Sequence, residues 1–136
     1  MTERWRAWSV RGNEVEKPVV DFSGRWTNKL GAEITLKMEG HALSGIYRVQ
    51  VGTAGRVKDL PLVGFANGDI VSFVVDWGRY GTMMAWVGQH ADEPGGGERL
   101  ETMWHMTRNI AENTEARALW GAFLSGSDSL IRAPDA

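Results

Sequence analysis

Gly24-Arg25-Trp26-Thr27-Asn28, then Ile34, Leu36 and Met38 alternating with Thr35 and Lys37, then Glu39-Gly40: from Asp21 onward the chain sets apolar against polar residues with a period of two. Side chains that alternate in this way point to opposite faces of an extended backbone. The stretch therefore predicts two short half-buried strands, the second closed by a glycine turn.

Beyond this stretch the same pattern continues. A third strand is expected from Leu43 to Val51, with Tyr47, Val49 and Val51 on one face. A fourth runs from Val57 to Phe65, where Pro61 marks an edge or a bulge because proline has no N–H to give to a ladder. Asn67-Gly68 predicts a type I′ hairpin, whose turn requires positive φ at both residues. Further strands are expected at Ile70 to Trp77, Thr82 to His90, Arg99 to Thr107 and Ala122 to Arg132. They are separated by Gly78-Arg79-Tyr80-Gly81, by Glu93-Pro94-Gly95-Gly96-Gly97, and by a polar stretch in which Glu112 to Leu119 suits one turn of helix. The sum is an all-β fold, an eight-stranded antiparallel up-and-down β-barrel that removes strand edges and keeps a mouth for one small ligand.

Composition agrees with this architecture. A chain of 136 residues is of single-domain size, and 7 Trp beside 17 Gly suit strands carrying bulky aromatics joined by glycine turns. Residues 1–20 have mixed charge and no clean period, so they form an extension, with Trp5 and Trp8 expected to dock on the barrel of residues 21–136. With no cysteine there is neither a disulfide framework nor a thiolate site. A net charge of −2 without a basic stripe argues against a nucleic-acid partner. No segment approaches the roughly 20 apolar residues of a membrane span, and the N-terminus lacks the apolar core of a secretory signal. The expectation is a cytoplasmic protein, secreted only where a leader has been removed.

The run Gly24-Arg25-Trp26-Thr27-Asn28-Lys29-Leu30-Gly31 resembles the first-strand motif of the avidin and streptavidin family. The resemblance continues in order through Ser44-Gly45-Ile46-Tyr47, Trp77, Trp86-Val87-Gly88-Gln89, Thr102-Met103-Trp104, Trp120 and Gly126-Ser127-Asp128, so it spans residues 21 to 132. It implies biotin or a biotin-like small molecule as ligand, no cofactor and no metal. Trp77, Trp86, Trp104 and Trp120 are similar to the four tryptophans that wall the family's pocket. The Trp120 equivalent caps the pocket of a neighbouring subunit, which implies a homo-dimer or homo-tetramer. Trp26 is expected to pack in the barrel floor.

At the polar end the resemblance is partial. Asn28, Tyr47 and Asp128 match an asparagine and a tyrosine that donate to the ligand's ureido oxygen and an aspartate that accepts from one of its N–H groups. The two serines expected beside them are Ala32 and Val49 here. A ligand N–H buried opposite Val49 would lose its partner, at a cost of about 1–3 kcal/mol. Met84 replaces a threonine near the ligand's sulfur and fills space as a soft side chain. Thr53 stands near the position that meets the ligand's carboxylate, and Thr82 replaces a serine.

Other readings use the same residues. Asp128 is in phase with Leu124, Gly126 and Leu130, so its carboxylate faces an apolar side and needs a partner, either Asn28 or the Trp86 indole N–H. Repurposed, the barrel would take a different apolar ligand, or as an enzyme would use Asp128 as general base with Tyr47 and Asn28 as oxyanion donors on an apolar substrate. As a scaffold, it would fill the pocket with its own side chains, Met84 among them. His41, His90 and His105 lack metal-site spacing, and Gly95-Gly96-Gly97 is a hairpin turn and no phosphate loop.

Overall fold

The computed structural model describes residues 19–51, 56–109 and 123–134. Eight strands, β1 (Gly24–Thr27), β2 (Glu33–Glu39), β3 (Ala42–Val51), β4 (Arg56–Asn67), β5 (Ile70–Asp76), β6 (Thr82–Asp92), β7 (Glu98–Arg108) and β8 (Phe123–Arg132), follow one another around a closed antiparallel barrel. A 3₁₀ turn at Gly78–Tyr80 joins β5 to β6. The alternation read from the sequence is the alternation of burial: in β5, Val71, Phe73 and Val75 are buried while Ile70, Ser72 and Val74 are exposed. The expected helical turn at Glu112 to Leu119 lies outside the described residues.

Small differences have local causes. The first and fifth strands stop one residue short of expectation. Asn28 folds into a turn by accepting two backbone N–H groups, and Trp77 leads into the 3₁₀ turn. The hairpin after β4 forms, but its loop is Gly68-Asp69 and only Gly68 has positive φ, so it is not type I′. The β2–β3 hairpin is built the same way around Gly40. Pro61 pairs with Ile46 at the point where the β4–β5 ladder has ended, so its missing N–H costs no bond on that side.

One end of the barrel is closed. Trp26 and Phe22 are fully buried there, and the Trp26 indole donates to the Phe22 carbonyl at 3.0 Å. The Arg132 guanidinium lies over the Trp26 ring, 4.3 Å from its centroid, and its Nε sits 2.5 Å from Glu98. His90 meets the same carboxylate at 2.9 Å. The other end is the mouth, where the inner rows of side chains do not fill the space.

Candidate functional site

The mouth end is organised by register. Gly64, Phe73, Trp86, Trp104 and Gly126 are successive cross-strand partners from β4 to β8, forming one row across the inner wall. Phe73 stacks on Trp86 with centroids 5.6 Å apart and rings 17° from parallel. Three bulky aromatics in a row fit because the row ends in glycines. A Cβ at Gly126 would overlap the Trp104 indole, while one at Gly64 would run into the Ser72 carbonyl and the Phe73 backbone, so this glycine lets the two strands approach closely. Tyr47 meets Trp86 edge-on at 5.9 Å.

These side chains border a cavity of about 410 Å³. Trp86, Met84 and Trp104 line it from β6 and β7, Tyr47 and Val49 from β3, Ala32 from the approach to β2, Asn28 from just beyond β1 and Asp128 from the middle of β8. Met84 is 4% exposed and packs into the wall, yet the space remains open, so a barrel filled by its own side chains does not describe this structure. Leu30, Gly31 and Ser127 also border the cavity. Leu30 and Gly31 belong to the first-strand motif, whereas the outward phase of Ser127 gives no sequence signal for a place at the cavity.

The polar end is a small network. Asn28 donates from Nδ2 to Asp128 Oδ2 at 2.5 Å. Its Oδ1 accepts the backbone N–H groups of Leu30 at 3.0 Å and Ala32 at 2.8 Å, which fixes the amide's orientation. Of Asn28 and the Trp86 indole, Asn28 is therefore the partner that Asp128 takes. The Trp86 indole N–H is buried without a hydrogen-bond partner among the described residues, as is that of Trp77. Tyr47 is 6% exposed, and burial, followed by the charge of Asp128, raises the pKa of its phenol. It stays protonated near neutrality and keeps an O–H to donate.

The remaining expected residues fall elsewhere. Trp77 packs behind Tyr47, 6.1 Å between rings, and does not line the cavity. Thr82 lies beside the 3₁₀ turn, its hydroxyl 3.5 Å from the Tyr80 carbonyl, and lines a separate surface hollow. Thr53 and Trp120 lie outside the described residues. Ala32 and Val49, the two positions without hydroxyls, both line this cavity, Ala32 just before the Glu33–Arg48 pair that ends the β2–β3 ladder and Val49 just after it.

A family model described as the Avidin family matches residues 16–133. Xenavidin is 23% identical with a TM-score of 0.72, the match covering 85% of this chain and 99% of that one. A biotin binding protein from chicken is 24% identical with a TM-score of 0.72, covering 84% and 97%. A rhizavidin–biotin complex is 20% identical with a TM-score of 0.67, covering 84% and 93%. At these identities the structures speak for the fold. No curated protein sequence gives a match.

Proposed function

This chain belongs to the avidin family, and from that premise we propose that it is a non-catalytic, homo-oligomeric binding protein for biotin or a biotin-like small molecule, with affinity lowered by two missing hydroxyls. The observation that carries this reading is the cavity in which Tyr47, Trp86 and Trp104 face the Asn28–Asp128 pair. Rigid aromatic walls exclude water from a compact ligand, and the polar pair fixes the orientation of an amide or urea. Ala32 and Val49 withhold partners that a urea would use, which lowers affinity roughly tenfold or more.

Titration with biotin, followed by tryptophan fluorescence and calorimetry, tests it. Saturable binding that Asp128→Ala weakens at least tenfold is the expected result. Absence of heat and of spectral change at millimolar biotin overturns it.

The outer surface supports self-association. Phe65, Ser72, Val87, Met103 and Ser127 form one cross-strand row on the outside of β4 to β8, and Val63, Val74, Ala85, His105 and Ser125 form the next. Neither row contains Asp, Glu, Lys or Arg, whereas the outer face of β2 and β3 carries Glu33, Lys37 and Arg48. Phe65 is 71% exposed and Met103 57% beside a hollow of about 640 Å³. An apolar face of this extent suits burial. Two-fold contact places a patch against its own copy, so an uncharged patch meets no like-charge repulsion there.

A further inference from the structure

We infer that the cavity selects a cyclic head group with one N–H, a lactam or cyclic carbamate, over a urea with two. This inference rests on the binding reading above and specifies the chemistry of its ligand.

The side-chain hydrogen-bonding groups around the cavity are unequal. Donors are in surplus: the Tyr47 hydroxyl, the second hydrogen of Asn28 Nδ2, and the Trp86 indole N–H, which has no partner among the described residues. Acceptors are scarce. Asn28 Oδ1 already takes two backbone N–H groups, and one oxygen of Asp128 already takes Asn28. Ser127 belongs to the outer face, opposite Met103. With the Tyr47 hydroxyl engaged as a donor to the ligand's carbonyl, what remains to accept a ligand N–H is the Asp128 carboxylate.

A cyclic urea projects its two N–H bonds away from each other on either side of the carbonyl. When its oxygen takes the Tyr47 and Asn28 donors, one N–H can reach Asp128 and the other points away from it. Beside β2 and on β3 the cavity is lined by Ala32 and Val49, neither of which can accept, and on β6 by Met84 and an indole whose N–H can only donate. The second N–H therefore meets no side-chain acceptor among the described residues, and a buried donor without a partner opposes binding. A ring oxygen or methylene at that position removes the unmatched donor and meets the apolar wall without penalty. One polar edge and one apolar edge make the complementary head group.

The test is calorimetric titration of the full chain with biotin and with the two carbamate analogues in which one or the other ureido N–H is replaced by oxygen. One analogue, the one that keeps the N–H facing Asp128, is expected to bind about tenfold more tightly than biotin. In Val49→Ser, which restores an acceptor, that preference is expected to shrink or reverse. Biotin binding more tightly than both analogues to the native chain overturns the inference while leaving the binding reading intact. An order of affinities unchanged by Val49→Ser likewise overturns the inferred role of this wall. Heat from none of the three ligands overturns the binding reading, and the inference with it.

Discussion

Asn28 and Asp128, one hundred residues apart in the chain, are joined by a side-chain hydrogen bond of 2.5 Å where the β1–β8 ladder ends. That ladder holds only Trp26–Arg132 and Thr27–Ile131, so the side-chain bond continues the closure of the barrel where backbone pairing has stopped. The same two groups present the polar end of the cavity. Closure of the fold and organisation of the site are thus one interaction.

Replacing Asn28 tests this double role. Asn28→Ala removes the bond to Asp128 and the acceptor for the Leu30 and Ala32 N–H groups, so a loss of about 1–3 kcal/mol is expected in urea unfolding. Asn28→Asp keeps the loop acceptor but sets a second carboxylate against Asp128. Repulsion raises the native carboxylate pKa above the unfolded one, so the native state holds its proton longer and the deficit shrinks as pH falls toward about 4. A deficit that stays constant with pH contradicts the pairing.

Gly126 is the position that admits the Trp104 indole, since a Cβ there would overlap the ring. Gly126→Ala is expected to destabilise the barrel by about 1–3 kcal/mol through overpacking. It should also displace Trp104 from the cavity wall, changing tryptophan emission. An unaltered spectrum and unaltered stability would show that the ring has room to spare.

The outer apolar face predicts the assembly. Met103→Glu and Val87→Glu introduce charge on neighbouring outward positions without entering the cavity. Each is expected to reduce the sedimenting mass to that of one chain, while Thr35→Glu on the polar outer face of β2 leaves it unchanged. A native chain that already sediments as a monomer refutes the homo-oligomer.

Glu98 predicts an acid limb in the stability profile. Burial works to raise its pKa, but the bonds from Arg132 and His90 outweigh it and hold the carboxylate below its ordinary value. A depressed native pKa contributes stability that is complete above the unfolded value of about 4.3 and lost as pH falls through the lower native value. Because the group is partly exposed, Glu98→Gln should cost only about 0.5–1 kcal/mol near pH 7. The difference from the native chain should vanish below about pH 3, read by thermal melts across pH.

Much of the barrel was legible because its information is local. Burial with a period of two in β2 and β5 follows directly from the residue order, and Gly40 and Gly68 announce hairpins whatever the exact turn type. The site was legible in part. Trp86 and Trp104 line the cavity, whereas Trp77 stands behind Tyr47 and Thr82 beside the 3₁₀ turn. Both of the latter sit where a strand meets a turn, so strand phase says little about where their side chains go.

The residue order by itself determined which side chains are inward and which outward, because alternation along a strand is a property of neighbours in the chain. It also carried the donors Asn28 and Tyr47, the carboxylate Asp128, and the absence of hydroxyls at Ala32 and Val49. Only the tertiary structure decided who meets whom. Register between strands set Trp86 against Trp104 and Trp104 against Gly126, the barrel brought Ala32 and Val49 to one cavity, and closure of β1 on β8 delivered Asn28 to Asp128. The reason is physical: side-chain direction follows from local backbone geometry, but the pairing of distant strands is chosen by how all the inward side chains pack at once.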